Sequence, residues 1–145
     1  TKGSRDQQPF SIRGQYVSAV ICYEVVYPDL VARNTFNSSL IVTVSNDTWF
    51  GRSLGPKQHM QMVRMRAIEN AKPIVRATNN GITGFIDFKG HSEASLDRGV
   101  KSTLSGTVQP RIGYTPFSIV GSWPIIIFSM LSCMSLVILR FKLEP

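Results

Sequence analysis

The sequence predicts an α/β fold followed by one transmembrane helix, and three observations support this prediction. Short apolar runs rich in β-branched residues recur at 17–21, 39–45 and 74–78, which is typical of buried strands. Helical patterns separate these runs, whereas turn residues follow soon after the third. Strands that alternate with helices early and form hairpins late indicate one layered half of an α-β-β-α sandwich. The third observation is an uncharged run at 117–139.

These patterns divide the 145 residues into four parts. Residues 1–14 are polar, lack sustained periodicity, and are predicted to be a linker or an incomplete N-terminal part. The partial sandwich domain covers 15–115, the transmembrane helix 116–140 and the cytoplasmic tail 141–145. Because the chain begins with Thr1 and no signal peptide precedes the first strand, we expect a C-terminal piece of a longer protein.

The first predicted strand ends at Cys22. Pro28 then pre-sets φ for a first helical turn and Asp29 suits the positive end of the helix dipole, so a short helix is expected from Asp29 to Arg33. The predicted order is a strand, a cysteine, a sharp turn and a helix. This layout resembles the one that presents nucleophiles at the carboxyl edge of an α/β sheet. The alternative is that Cys22 is a small core hydrophobe.

The second predicted strand, at 39–45, leads directly into Asn46 and Asp47. If this strand lies parallel to the first, the carboxyl ends of both strands meet at one edge of the sheet, where open α/β sheets keep their sites. The sequence therefore predicts that Asn46, Asp47 and Cys22 share that edge.

The helix predicted at 58–70 carries one apolar stripe, which indicates core packing. The stripe consists of Met60, Val63, Ala67 and Ala71, flanked by Ile68. Arg66 and Glu69 are predicted to lie largely on the opposite side. His59 opens the helix, and a structural role is expected for it because the sequence offers too few further ligands for a metal. Pro73 ends the helix.

Three further strands complete the predicted domain. They are expected at 74–78, at 83–88 and near 101–108. The Asn-Asn-Gly segment at 79–81 is a turn signal between the first two of them.

The uncharged run at 117–139 is long enough to cross a hydrocarbon core of about 30 Å at about 1.5 Å per residue. Trp123 near its start suits an interfacial belt, and Arg140 and Lys142 at its end suit the cytoplasmic face. Pro124 falls in the first turn, where proline costs little. The alternative is a buried helix, but a small domain has too little protein to cover all sides of such a run.

The excess of 16 basic over 9 acidic residues gives a formal charge of +7, which admits nucleic acid, an anionic membrane surface or an acidic substrate as partner. The basic residues are scattered singly, and the apolar tail favours a membrane over nucleic acid. Two cysteines cannot build a disulfide framework. Cys22 and Cys133 lie in quite different environments, so both are expected to be free thiols.

Three ordered motifs resemble the nitrilase, or carbon–nitrogen hydrolase, superfamily. The nucleophile motif is Cys22-Tyr23-Glu24 followed by Tyr27-Pro28-Asp29-Leu30 and Arg33. The motifs at 45–51 (SNDTWFG) and 76–84 (RATNNGITG), with the helix at 58–70, narrow the resemblance to the membrane branch of that superfamily, the apolipoprotein N-acyltransferases. The resemblance implies a nitrilase-like sandwich.

Acyl transfer through a cysteine needs a thiolate, a base and donors that hold an oxyanion. The resemblance implies that Cys22 is the nucleophile. The backbone N–H of Tyr23 is well placed to be one oxyanion donor, and Glu24 is expected to support the site by bonding to backbone or to an arginine. The alternatives are that Tyr23 is a core aromatic and that Glu24 faces water.

The superfamily's base is a glutamate and its second oxyanion partner a lysine, both N-terminal to the cysteine. Before Cys22 this sequence offers only Asp6 and Lys2, in a segment that does not resemble those motifs. We therefore expect the isolated chain to lack two of three catalytic groups.

Asn46, Trp49 and Phe50 are predicted to form a substrate-side loop. An aromatic pair at this edge of the sheet suits acyl chains or a membrane interface. The alternative is that Trp49 fills the core of the domain.

The resemblance implies that a fatty acyl group passes from a phospholipid to Cys22 as a thioester, and then to the N-terminal amine of the diacylglyceryl-cysteine of a bacterial apolipoprotein, with no metal or organic cofactor. The implied partners are the phospholipid donor, the apolipoprotein acceptor and the membrane, without nucleic acid. The implied location is the inner membrane, with the catalytic domain periplasmic and the C-terminus cytoplasmic. Two alternatives stay open: a soluble nitrilase-type amidase, for which the apolar tail has no use, and a non-catalytic membrane-anchored fragment.

Overall fold

A computed structural model describes residue 4 and residues 6–143, with the side chains of 141–143 left out. The six strands are β1 (Phe10–Ile12), β2 (Gln15–Ile21), β3 (Leu40–Asn46), β4 (Ile74–Asn79), β5 (Thr83–Ile86) and β6 (Ser92–Leu96). The four α-helices are α1 (Pro28–Thr35), α2 (Gly55–Asn70), α3 (Pro116–Val120) and α4 (Trp123–Leu143). Two short 3₁₀ helices, Cys22–Val26 and Thr48–Phe50, follow β2 and β3.

The six strands form one sheet in the order β1-β2-β3-β4-β5-β6. The strands β2, β3 and β4 are parallel, and α1 and α2 connect them. The outer pairs β1–β2, β4–β5 and β5–β6 are antiparallel. The predicted order of alternating strands and helices followed by hairpins is confirmed, and the carboxyl ends of β2 and β3 meet at one edge as expected.

The core lies between one face of the sheet and the helices α1 and α2. Its fully buried apolar side chains come from β2, β3, β4, β5, both helices and the first 3₁₀ helix. They are Val20, Val25, Val31, Ile41, Met60, Val63, Ala67, Ile74 and Ile86. The predicted stripe on α2 therefore packs as expected through Met60, Val63 and Ala67, whereas Ala71 is the C-cap of α2 in a left-handed conformation.

Arg66 departs from the prediction that it faces away from the core, because it is 93% buried. Its guanidinium pairs with Glu69 at 2.8 Å and donates to the carbonyl oxygen of Val26 at 3.3 Å. Burial lowers the pKa of Arg66, and the charge of Glu69 opposes that shift. Arg66 thus joins α2 to the 3₁₀ helix that begins with Cys22.

The second face of the sheet is apolar and only partly covered. Ala19, Val42 and Val75 point to this face and are half-buried, while Ile21 and Val44 are about half exposed. The residues that the structure describes therefore form one helical layer and one sheet, as expected for half of a layered sandwich.

Two strands differ from the prediction. Strand β1 lies inside the segment predicted to be a linker, because Arg13 and Gly14 both adopt positive φ (50° and 78°) and close a two-residue hairpin to β2. The segment near 101–108 is not a strand, since β6 (Ser92–Leu96) pairs with β5 instead. Both differences arise from turns that place a strand at a sheet edge.

The apolar C-terminal run is two helices rather than one. Gly121, at φ 59°, separates α3 from α4, so the long helix begins at Trp123 with Pro124 in its first turn, as expected for that proline. Asp29 of α1 accepts hydrogen bonds from the backbone nitrogen (2.8 Å) and hydroxyl (2.9 Å) of Ser122, which joins the start of α4 to the domain. Residues 144–145 of the predicted tail lie outside the described residues.

Within the described residues, one helix is long and apolar enough to cross a membrane by length and composition. This stretch is Trp123–Arg140, with a mean hydropathy of 1.8, and none of it is buried against the other described residues. Among the described residues it is therefore not a core helix.

Candidate active site

Cys22 lies where β2 ends and the first 3₁₀ helix begins. Its backbone is in the left-handed region, with φ 52°, and its side chain is half-buried. A non-glycine residue there costs of order 1–3 kcal/mol, and such strain concentrates at functional sites. The predicted layout of strand, cysteine, sharp turn and helix is thus present. The thiols of Cys22 and Cys133 are both free.

Glu24 fixes the turn that carries Cys22. Its Oε2 accepts a hydrogen bond from the backbone nitrogen of Ile21 at 2.8 Å, and its carbonyl oxygen accepts one from the nitrogen of Tyr27 at 3.1 Å. The interpretation that Glu24 bonds to backbone therefore agrees with the structure. Tyr23 is 54% exposed and packs edge-on against Tyr27, so it is not a core aromatic.

A buried polar cluster lies behind Cys22. The Asp47 carboxylate is fully buried, with Oδ1 3.0 Å from His59 Nδ1 and Oδ2 2.9 Å from a terminal nitrogen of Arg76. The Ser45 hydroxyl lies 2.6 Å from Asp47 Oδ1 and 3.5 Å from the sulfur of Cys22. The side chains of Ser45, Asp47, His59 and Arg76, here called the Asp47 cluster, therefore reach the candidate nucleophile through one hydroxyl group.

The electrostatics of the Asp47 cluster centre on Arg76. Burial lowers the pKa of its guanidinium, and the charge and hydrogen bond of Asp47, followed by the charge of Cys22, oppose that shift. The carboxylate of Asp47, 2.9 Å away, therefore helps to keep Arg76 charged in the core.

The sheet register explains how the Asp47 cluster assembles. Arg76 pairs with Thr43 across the parallel strands β3 and β4, and Ser45 pairs with Thr78. Arg76 and Ser45 thus share the core-facing side, and His59 is buried at the start of α2 above them. The sequence pattern alone does not predict the roles of Ser45 and Arg76 or the contact of His59 with Asp47. The available signal was an arginine at a core-facing position of a strand, since a buried arginine needs a partner.

The three residues of the predicted substrate-side loop differ in how exposed they are and in what they contact. Asn46 accepts a hydrogen bond from the backbone of Thr48 at 3.2 Å and is exposed. Trp49 is 82% exposed, so the alternative in which it fills the core is wrong. Phe50 turns inward and packs edge-on against His59 at 5.9 Å. Asn46 and Trp49 are therefore exposed at this edge of the sheet, whereas Phe50 packs against the Asp47 cluster.

A cavity of about 610 Å³ opens at the same edge of the sheet. It is lined by Thr48, by the turn at 79–81, and by Asp97 and Lys101 from the segment after β6. The edge that carries Cys22 and Asn46 therefore also has room for a polar ligand beside it.

Asp6 forms an exposed ion pair with Arg33 at 3.6 Å, so it is engaged at the surface. Lys2 lies outside the described residues.

Residues 1–116 match the carbon-nitrogen hydrolase family. The chain belongs to this family. The match includes Cys22 and every member of the Asp47 cluster.

Curated relatives share the name apolipoprotein N-acyltransferase. The chain is 43% identical over 130 residues to the protein from Pseudomonas syringae pv. tomato, covering 90% of this chain and 26% of that protein. It is 44% identical over 124 residues to the one from Pseudomonas aeruginosa (86% and 24%) and 39% identical over 133 residues to the one from Vibrio vulnificus (91% and 26%). The chain thus spans about a quarter of the length of these relatives.

Solved structures share the fold. A carbon-nitrogen hydrolase from Helicobacter pylori G27 has a TM-score of 0.58 at 13% identity, covering 68% of this chain and 42% of that one. The C. elegans NitFhit protein has a TM-score of 0.54 at 20% identity, covering 68% and 26%. The nitrilase-like α/β prediction is therefore confirmed.

Proposed function

We propose that this chain is the nucleophile-bearing part of an apolipoprotein N-acyltransferase, with Cys22 as the residue that carries the acyl group. The single observation that supports this role best is the position of Cys22, half-buried at a left-handed turn on the carboxyl edge of the sheet. The curated relatives, all longer than this chain, are named apolipoprotein N-acyltransferase, and the proposed activity is taken from that name.

The proposed reaction has two acyl transfers. The Cys22 thiolate attacks an ester carbonyl of a phospholipid, a C–S bond forms and the ester C–O bond breaks. The proton that the thiol gave up passes to the alkoxide, which leaves as a lysophospholipid. The α-amino group of a diacylglyceryl-cysteine then attacks the thioester, an amide forms, the C–S bond breaks, and the amine proton returns to the sulfur. The two steps together restore the free thiol.

The residues around Cys22 take distinct parts in this proposal. The backbone N–H of Tyr23 donates to the oxyanion that forms on the attacked carbonyl. Glu24 supports the turn through its bond to Ile21. Asn46 and Trp49 face the substrate side, with Trp49 against the acyl chain or the membrane surface. Phe50, predicted as a third substrate contact, acts instead from behind by packing on His59.

The phospholipid donor and the lipidated acceptor both reside in a membrane, and α4 would hold the domain beside them. Its uncovered apolar surface supports a spanning role. Arg140 and Lys142 at its C-terminal end favour a cytoplasmic C-terminus, and the catalytic domain would then lie on the periplasmic side of the inner membrane.

The spanning role of α4 has a direct test. A soluble reporter fused to residues 115–145 is expected to stay in the membrane pellet after alkaline carbonate extraction. Replacing Ile127 and Leu131 together by arginine should release most of it, because each arginine near the middle of a span costs about 2.5–3.5 kcal/mol. Replacing the same two residues by alanine removes apolar area without adding charge and should leave the reporter in the pellet. Extraction of the unaltered fusion into the aqueous phase would favour the soluble amidase.

The proposed reaction is tested by trapping its intermediate. The complete gene product that carries this sequence, incubated with phospholipid labelled in its acyl chain, should acquire label on Cys22 that hydroxylamine removes. Adding a diacylglyceryl-cysteine peptide should transfer the label to that peptide's amine. Label that never reaches Cys22 while the peptide is acylated would contradict the proposal, and absence of both would favour the non-catalytic fragment.

A further inference from the structure

The Ser45 hydroxyl stands between the sulfur of Cys22 and the buried carboxylate of Asp47. Its oxygen is 3.5 Å from the sulfur and 2.6 Å from Asp47 Oδ1. A hydroxyl has one hydrogen to donate and lone pairs to accept. Ser45 can therefore hydrogen-bond to both neighbours at once only if it accepts a hydrogen bond from one and donates its hydrogen to the other.

We propose that Ser45 is a positioning residue for Cys22, and that the Asp47 cluster lets its hydroxyl hydrogen switch between Asp47 and the sulfur as the thiol loses its proton. This inference rests on the proposed function of Cys22 as nucleophile. It concerns how the sulfur is held rather than which substrate it attacks.

In the resting state the Ser45 hydrogen points to Asp47. The separation of 2.6 Å is typical of a hydroxyl that donates to a carboxylate. In the competing orientation the same hydroxyl donates to the sulfur of Cys22, 3.5 Å away. The thiol is thereby held toward β3.

Once the thiol is deprotonated, the Ser45 hydrogen turns to the sulfur. A hydrogen bond donated to the charged thiolate is stronger than the hydrogen bond that a thiol, a weak donor, can give to Ser45. Asp47 tolerates the turn because Arg76 still donates to its Oδ2 at 2.9 Å, while His59 Nδ1 lies 3.0 Å from its Oδ1. Those two side chains are what leaves the hydroxyl free to switch.

The charged and titratable groups around Cys22 agree with this arrangement. Arg76 of β4 is the cation whose charge couples to the sulfur. Asp47 after β3 and His59 of α2 are both buried behind Ser45, and Glu24, next along the chain, is engaged with the backbone of Ile21. Ser45 is the hydroxyl that connects this set to the sulfur.

The test measures the alkylation of Cys22 as a function of pH. The complete gene product is treated with iodoacetamide between pH 5 and 10, and modification of Cys22 is quantified by peptide mass spectrometry. For Ser45→Ala we expect the rate profile to move to higher pH by about one unit, since one hydrogen bond to a charged group is lost. The kcat/KM of acyl transfer should fall about tenfold for the same reason.

Ser45→Thr keeps the hydroxyl and should restore both the profile and most of the activity. Ser92→Ala, which removes an exposed hydroxyl from β6, should leave both unchanged. A merely structural role would lower the amount of folded protein without moving the pH profile of the folded fraction. A Ser45→Ala profile that overlaps the unaltered one, or a Ser45→Thr profile as shifted as that of Ser45→Ala, would overturn the inference.

The outcome is separable from that of the proposed function. If Cys22→Ala abolishes acyl transfer while the Ser45→Ala profile is unshifted, Cys22 stands as nucleophile and the positioning role fails. If acyl transfer survives Cys22→Ala, the proposed function fails, and the alkylation profile still reports whether Ser45 holds the sulfur.

Discussion

Replacing Cys22 by alanine in the complete gene product is expected to lower acyl transfer from phospholipid by a factor of about 10⁴ or more. Removal of a nucleophile abolishes the covalent route, and what survives is only the small rate enhancement from binding and oxyanion stabilisation. The measurement is transfer of a labelled acyl chain to a diacylglyceryl-cysteine peptide in detergent micelles. Hydroxylamine-sensitive label on the enzyme should disappear in parallel.

Cys133→Ala is the matched control for that loss. Cys133 is also a free thiol, but it lies exposed on α4, far along the chain from the strand edge. Its replacement should leave both the acyl-enzyme and the transfer rate unchanged. Equal losses from the two alanine variants would mean that the effect is on folding or membrane insertion, and transfer at a normal rate by Cys22→Ala would contradict the nucleophile.

The parallel centre of the sheet follows directly from the sequence. The runs that became β2, β3 and β4 are apolar and β-branched on both faces, one of which lies in the core, so their residue types report their central position in the sheet. The edges carry weaker signals. Strand β1 depends on a turn made by Arg13 and Gly14, and arginine is not a residue from which positive φ is expected.

The incorrect strand near 101–108 shows a different limit. Local residue preference does not say which sheet edge is free, and β6 already occupies the edge of β5. A strand needs a partner, and pairing between distant segments is decided by the whole domain rather than by the segment alone.

The candidate site was predicted where its residues lie in one motif and missed where they come together from distant parts of the chain. Cys22 and Glu24 are neighbours in sequence, and their resemblance to a known motif identifies them. Asp47 is 12 residues from His59 and 29 from Arg76. Only the register of β3 on β4 and the packing of α2 bring those three side chains together. The position of Cys22 at the sheet edge was therefore predictable, and the buried cluster behind it was not.

That buried support carries the second large expected effect. Asp47→Ala leaves the Arg76 guanidinium in the core without its carboxylate, and breaking one side of a buried ion pair costs about 3–5 kcal/mol. For a domain of this size, such a loss lowers the apparent Tm by about 10–20 °C, measured by thermal unfolding of the detergent-solubilised protein. Asp6→Ala removes an aspartate from an exposed pair with Arg33 and should cost less than about 1 kcal/mol.

A double variant separates charge from packing in this effect. Asp47→Leu combined with Arg76→Met replaces both charges with apolar side chains, so neither partner is left buried and unpaired. We expect the double variant to melt higher than Asp47→Leu or Arg76→Met alone, although acyl transfer falls because Ser45 has lost the carboxylate that holds it. Additive losses in Tm would contradict the coupling between Asp47 and Arg76. Recovery of stability without recovery of activity would show that an apolar core of similar volume folds as well as the charged one. The buried pair would then contribute to the reaction at Cys22 rather than to folding.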